Sequence, residues 1–254
     1  MSSFTFKKTG HLGIITYERP PVNAFIYNTY KECGELFLSI QNMDDIYCVL
    51  LRAEGKWFTP GNDVNDFEAF SDTQKAKDYQ KMVAWCFSKI YECDVPIVCA
   101  VQGYSLGAGL CIASCCDIIV ASEDAKFGIP EITAGIIGAT GWASIMVPEK
   151  MRRYLALTGK HMSAEEMHQL GAVLKVVSRE KLDEVAMETV NEVMMQGPMA
   201  LRGLKKAMRT NDDLRLVEKY MEEAKYTLEY AKTADFKETI KAFQEKRKPV
   251  WKNK

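Results

Sequence analysis

Gly103-Tyr104-Ser105-Leu106-Gly107 fits G-x-S-x-G, the pattern that can present a nucleophilic serine on a sharp strand-to-helix turn. Asp117 or Asp124, then His161 or His168, follow in the order acid, histidine that a serine triad could use. The pattern fixes only three positions, no H-G-G-G segment precedes it, and both histidines fall where the sequence reads as amphipathic helix. As a dinucleotide fingerprint the run is weaker still, because Ile112 stands where the third glycine is needed. The same small residues could instead leave backbone N–H groups open at a helix N-terminus, where developing negative charge is favoured. Such a turn holds an oxyanion without a side-chain nucleophile, given a second donor from elsewhere. Phe58-Thr59-Pro60-Gly61-Asn62-Asp63 is the other turn tight enough to bare an amide. Glu131 completes the set as the only charged residue between Lys126 and Glu149. A carboxylate in so apolar a stretch is expected to be desolvated, with its pKa raised toward neutrality, which suits a general base or acid. The alternative is a glutamate satisfied by backbone amides near a helix start.

The elements that must position these residues follow from periodicity. Phe4 and Phe6, then Leu12, Ile14 and Thr16, read as strands joined at Thr9-Gly10. Arg19-Pro20-Pro21-Val22-Asn23-Ala24 reads as a loop, since two prolines remove donors. Helical stripes run over Asn28–Ile40 and Ser71–Tyr91, with a strand at Ile46–Leu51 between them. Val95–Val101 and Cys116–Ala121 are β runs flanking a turn and a helix of small residues. Ser163-Ala164-Glu165-Glu166 is a capping box ended by Gly171, and Leu174–Val177 is a short strand. Gly197-Pro198 breaks the chain, and beyond Leu201 nothing resembles a strand. One tail stripe, Leu216, Tyr220, Ala224, Thr227 and Leu228, must pack on the chain's own core or on a partner subunit. The expected organisation is an α/β core over residues 1–197 that holds the site, and a helical region over 198–254.

Composition excludes several classes. The 254 residues are 47% hydrophobic and 26% charged, ordinary for a globular chain with a full core. With 33 basic and 34 acidic residues the net charge is −1, which leaves no surplus to neutralise a phosphate backbone, so nucleic acid is not expected as a partner. The uncharged run Val95–Cys116 is 22 residues, long enough to span a bilayer. Its Pro96, Gln102, Gly103, Gly107 and Gly109 divide it into strand, turn and helix, so no membrane span is expected. The eight cysteines include no C-x-x-C pair, and the three histidines lack zinc-ligand spacing, so no metal is expected. The segment around Lys7 and Lys8 lacks the apolar stretch of a secretory signal, and reduced thiols in a cytoplasmic protein are the expectation.

Taken together, these motifs resemble the enoyl-CoA hydratase/isomerase family, also called the crotonase superfamily. The resemblance runs from the Arg19–Ala24 loop through Lys56-Trp57-Phe58-Thr59-Pro60-Gly61-Asn62-Asp63. It is strongest over Pro96–Gly109, Cys116-Asp117-Ile118-Ile119 and Phe127-Gly128-Ile129-Pro130-Glu131, and closes with Phe243–Trp251. It implies a crotonase-like ββα spiral core with a C-terminal helical trimerisation region, as a homotrimer or a dimer of trimers. It implies an acyl-CoA substrate whose thioester carbonyl is bound by the backbone N–H groups of Asn62 and Ala108. Pro60 and Val64 would lie near adenine and Lys56 near the CoA phosphates, with no cofactor beyond the coenzyme A of the substrate.

Two departures sharpen the expected chemistry. Hydratases of the family use two glutamates; the second matches Glu131, but the first falls on Cys111, a poor substitute base. A single carboxylate beside an oxyanion hole still supports proton shuttling, so Δ3 to Δ2 enoyl-CoA isomerisation is the leading expectation, with hydration or dehydration by a modified site as the alternative. A non-catalytic acyl-CoA-binding subunit and a Ser105 hydrolase are further readings. Gly138-Ala139-Thr140-Gly141-Trp142 departs as well, and Trp142 is expected to bring a large ring close to the acyl pocket beside Cys111 and Gly138.

Overall fold

The computed structural model describes residues 2–66, 72–212 and 214–252. Phe4–Thr9 (β1) and Leu12–Tyr17 (β2) pair antiparallel, with Gly10 at positive φ in the tight turn between them. From there the chain turns to parallel pairing. Cys48–Ala53 (β3) lies beside β2, and Ile97–Val101 (β4) beside β3. Each residue of β4 is buried, as expected of a strand covered on both faces, and it reads as a continuous apolar run. The helices Tyr27–Gln41 (α1) and Thr73–Glu92 (α2) cover one face of this sheet. They approach so closely that a Cβ at Gly34 would stand 2.2 Å from the Trp85 ring. Asp72 starts α2 by accepting the N–H groups of Gln74 and Lys75 at 2.8 and 3.1 Å. Ser71, the expected first residue of this helix, lies outside the described residues.

After β4 comes the short strand Tyr104–Leu106 (β5), then the helix Ala108–Cys115 (α3). Ile118–Ser122 (β6) returns to the main sheet beside β4. Lys126–Gly128 (β7) pairs with β5, and His161–Ser163 (β8) pairs with β7, forming a second, three-stranded sheet. Between β7 and β8 lie a 3-10 turn at Pro130–Ala134 and the helices Thr140–Ala143 (α4) and Glu149–Thr158 (α5). Ala164–Gln169 (α6) carries the expected capping box of Ser163 and Glu166. Lys175–Val177 (β9) forms the edge of the main sheet beside β6. Leu182–Met194 (α7) packs Leu182, Ala186 and Val190 onto Leu50, Val98 and Val120, covering the sheet's other face. The uncharged run is thus divided among β4, β5 and α3. Among the described residues no helix is long and apolar enough to cross a membrane.

The tail is helical as expected: Pro198–Asp212 (α8), Leu216–Tyr230 (α9) and Ala234–Gln244 (α10). It is not a separate unit, because Leu216 and Phe236 belong to the main apolar core. Three cations one or two turns apart fasten α8 to the end of the sheet. Arg202 donates to the carbonyls of Gln41 and Met43 at 3.1 and 2.6 Å, and Arg209 to Asp94 at 2.8 Å. Lys205 donates to Val95 O at 3.0 Å and to Asp117 Oδ2 at 2.6 Å. Two local expectations fail. The segment from 103 to 107 holds a strand rather than only a turn, and His161 lies on a strand rather than a helix.

Candidate active site

The strand β5 and the 58–63 turn are zipped together. Thr59 N–H donates to Tyr104 O at 2.8 Å, and Leu106 N–H donates back to Thr59 O at 3.1 Å. From its other side the turn is held by Phe25, whose N–H donates to Gly61 O at 2.8 Å and whose carbonyl accepts Asp63 N–H at 2.7 Å. These bonds use the residues on either side of Asn62 and leave its own N–H unused. Ala108 is the first residue of α3, so its N–H has no acceptor within the helix. Among the described residues, neither N–H donates to a protein acceptor. The two turns nearly touch: a Cβ on Gly61, which sits at φ +100°, would stand 2.9 Å from Leu106 O and 3.6 Å from Ala108 N. Glycine is required there both by conformation and by space. Two open donors in one cleft are an arrangement that can cradle an oxyanion.

Glu131 stands directly beside this cradle. A Cβ on Gly107, at φ +54°, would lie 2.5 Å from Glu131 Oε1, so the missing side chain is what admits the carboxylate. Glu131 Oε2 is buried and has no hydrogen-bond partner. Burial raises its pKa to about 8; its own backbone N–H opposes the rise and Glu223 adds to it. The upward shift is the direction expected of desolvation; the helix start supplies only the residue's own backbone N–H and leaves Oε2 without a partner. Cys111 is buried on α3 with its Sγ directed at Ala139 O, 3.8 Å away. Burial, then the charge of Glu131, push its thiol well above the usual range, so it is no base near neutral pH.

Two cavities meet at this point, since Asn62 and Glu131 line both. The outer cleft, about 660 Å³, is bounded by the 19–24 and 60–65 loops, the Glu131 turn, His161 and Phe243. Pro60 and Val64 line it, whereas Lys56 does not: its ammonium lies over the Trp57 ring, 5.4 Å from the centroid. The inner chamber has about 30 Å³ of free space, enough for one or two water molecules. Its wall includes Cys111, Gly138 and Ala139, with Tyr30, Tyr79, Tyr220 and Thr227 adding hydroxyl groups. Tyr30 donates to Asn62 Oδ1 and so orients the residue whose N–H forms the cradle.

Several readings of the sequence are corrected here. Trp142 is fully buried behind the wall, packed edge-on against Phe87 at 5.6 Å and Tyr91 at 6.1 Å; Phe87, not Trp142, faces the chamber. The tail also lines both cavities, with Tyr220, Ala224 and Thr227 in the inner chamber and Phe243 in the outer cleft. The tail stripe packs on the chain's own core. Ser105 is wholly buried with no partner for its Oγ, and the would-be triad is dispersed. Asp117 pairs with Lys205, Asp124 with Arg179 at 2.9 Å, and His168 Nδ1 faces Val173 O at 2.8 Å. A nucleophile without access or base performs no acyl transfer, which removes the serine-hydrolase reading. Glu223 was not legible in advance, since it is one of several acids on α9. Its neighbours Tyr220, Ala224 and Thr227 were visible only as an apolar stripe. Among the described residues no cluster of His, Cys, Asp or Glu could hold a metal ion.

The family model for enoyl-CoA hydratase/isomerase matches residues 7–254. A (7aS)-7a-methyl-1,5-dioxo-2,3,5,6,7,7a-hexahydro-1H-indene-carboxyl-CoA hydrolase from Rhodococcus jostii is 34% identical over 215 residues, covering 85% of this chain and 83% of its own. A carnitinyl-CoA dehydratase from Salmonella heidelberg is 30% identical over 260 residues, covering 99% of each. The crystal structure of an enoyl-CoA hydratase/isomerase from Pseudoalteromonas atlantica superposes with a TM-score of 0.85 at 28% identity, covering 98% of this chain and 99% of that one.

Proposed function

The chain belongs to the enoyl-CoA hydratase/isomerase family, and from that premise we propose that it isomerises a Δ3-enoyl-CoA to the Δ2-enoyl-CoA, with Glu131 as the single acid and base. The observation that carries this reading is the pairing of one carboxylate, placed against the oxyanion turn at Gly107, with a buried thiol at position 111. The outer cleft takes the coenzyme A portion, with Pro60 and Val64 along its wall. The thioester carbonyl accepts hydrogen bonds from Asn62 N–H and Ala108 N–H. Glu131 removes a proton from carbon 2, and the negative charge moves onto the thioester oxygen as a dienolate held by the two N–H groups. The proton now on Glu131 is returned at carbon 4, which moves the double bond into conjugation. Glu131 ends as it began, so the reaction uses no cofactor beyond the coenzyme A of the substrate. Desolvation strengthens the carboxylate as a base, and one carboxyl group can reach both carbons without a water molecule.

The alternative is addition or loss of water on the same enolate. It draws support from relatives named for a hydrolase and a dehydratase, and from a chamber that admits water. A panel of 3-enoyl-, 2-enoyl- and 3-hydroxyacyl-CoA esters separates the two. The wild type is expected to turn over only the 3-enoyl ester, and Cys111→Glu to gain hydration of the 2-enoyl ester. Hydration by the wild type at a rate matching isomerisation would overturn the assignment. No turnover of any ester, with acyl-CoA binding intact, would leave a binding subunit.

Tyr30 bears on the same chemistry. Removing its hydroxyl leaves the half-buried Asn62 Oδ1 without its donor, a change that costs about 1 kcal/mol. Tyr30→Phe is expected to lower kcat/KM about tenfold, mainly through kcat, because the cradle rather than the coenzyme A cleft is loosened. Steady-state kinetics of the 3-enoyl ester check this, and an unchanged kcat would remove Tyr30 from the site's support.

A further inference from the structure

We propose that Glu223, carried by α9, is a positioning residue of this site: it sets a second negative charge within electrostatic reach of Glu131 and thereby governs when Glu131 can act as a base. The proposal rests on the isomerase reading only for its kinetic arm.

The placement comes from helix geometry. Tyr220, Ala224 and Thr227 line the inner chamber, and Glu223, three residues after Tyr220, shares that face of α9. Its carboxylate is fixed from a different element, because the Thr140 hydroxyl donates to Oε1. Gly141 lies close against α9 as well: a Cβ there would stand 3.2 Å from Lys219 Cβ. Arg152 on α5 holds the same loop by donating to Thr140 O at 3.1 Å.

The hydrogen bonding left unmade is equally informative. Glu223 Oε2 is buried and accepts nothing, and Arg152 Nε is buried and donates to nothing. A glutamate kept for stability would take the guanidinium beside it as a two-pronged pair. Here the cation is spent on a carbonyl, and the carboxylate keeps an idle oxygen in a low-dielectric surrounding. That arrangement costs stability, and the field of the carboxylate, once ionised, is little screened.

The surrounding groups leave this field in control. Cys111 on α3, Tyr30 on α1, Tyr79 on α2 and Tyr220 on α9 are all pushed up by burial and stay neutral at neutral pH. The helix α10, packed on the turn that carries Glu131, presents Phe236 and Thr239 to Gly135. Burial raises the Glu223 carboxyl above the usual carboxylate range, against the Thr140 hydroxyl, the backbone N–H groups of Gly141 and Thr140, and the charge of Arg152. A like charge nearby makes Glu131 harder to ionise and a stronger base once ionised. Removing that charge must shift Glu131 ionisation to lower pH and weaken it as a base.

The test uses the whole chain with glutamate side-chain carboxyl carbons labelled with 13C. The Glu131 resonance is assigned by its loss in Glu131→Gln and titrated by NMR without substrate. In the wild type its midpoint lies near pH 8. In Glu223→Gln it is expected to fall by about half a pH unit or more, so that the fraction ionised at pH 6.5 rises about threefold. Glu223→Asp, with the charge on a shorter stem, is expected to fall between the two, and it decides alone if the glutamine variant does not fold. In parallel, the pH profile of kcat/KM for the 3-enoyl ester should move with the resonance, and its plateau should drop about threefold with KM unchanged. A Glu131 midpoint that stays in place while the thermal midpoint changes would show Glu223 to be structural and overturn the proposal. A resonance that moves in a protein that does not isomerise 3-enoyl esters would overturn the isomerase reading and uphold the role of Glu223.

Discussion

Glu131→Gln is expected to lower kcat for isomerisation of a 3-enoyl-CoA about a thousandfold, within the range for loss of a positioned general base, with acyl-CoA affinity held within about threefold. Binding survives because the carboxylate sits where the outer cleft and inner chamber meet, while the coenzyme A cleft and both open N–H groups remain. The sign of the pH dependence follows from the direction of the shift. The base must be ionised, and its pKa is raised to about 8, so wild-type kcat/KM should climb through pH 7 and level off above about 8. An acid-first reaction would fall over the same window. Stability runs the other way. A carboxyl group that ionises in the usual range when unfolded but near pH 8 when folded withdraws stability progressively between those values. Glu131→Gln should therefore melt at a higher temperature than the wild type at pH 8, by a margin equivalent to about 4 kcal/mol, and show little difference near pH 4.5. Calorimetry at the two pH values, beside the kinetics, checks both halves. A variant that keeps its isomerase activity would dismiss Glu131 as the base.

The second large effect concerns the tail. Lys205 is 7% exposed and bridges Val95 O and Asp117 Oδ2, while Asp117 also accepts Ile97 N–H at 2.7 Å. Removing one partner of a fully buried pair typically costs about 3–5 kcal/mol, but here only the lysine is buried and Asp117 reaches solvent. Asp117 retains a backbone donor and solvent contact, so about 2 kcal/mol is expected for Lys205→Met, or a fall of about 4–8 °C in thermal midpoint. The double variant Lys205→Met with Asp117→Asn should recover part of that loss, because no charge is left unpaired. Urea unfolding of the set measures the coupling directly. A loss below about 1 kcal/mol would reduce the contact to a surface-like pair.

The parts of this fold legible from sequence are those whose signal is local. Ile97–Val101 is apolar throughout because both faces are covered, and Ser163 with Glu166 writes its helix start into four residues. The strands β5, β7 and β8 carry no such signal. Each is three residues long, too short for an alternation to register, and each is extended because a distant segment supplies its ladder partners. The site divides in the same way. Gly107, Ala108, Asn62 and Glu131 stand on tight turns with their own punctuation, so motif spacing reaches them. Tyr30, Tyr220 and Glu223 arrive on the faces of long helices, where nothing in the neighbouring sequence distinguishes a chamber wall from ordinary core. Trp142 shows the converse error: a conspicuous residue near the site in sequence, but turned away from it by packing on Phe87 and Tyr91.

The wall that α9 contributes also sets an order of events in time. Asn62, Ala108 and Glu131 emerge during synthesis well before Tyr220, Ala224 and Thr227. At a typical rate of about 5–20 residues per second, the nascent chain carries the proposed base and donors for several seconds before the chamber can close around them. Until then the chamber wall is incomplete, and Glu131 is expected to meet more water than it does in the finished fold. Reactivity toward thioesters is thus acquired at the last step of folding, by the arrival of a helix rather than by the appearance of the reactive group.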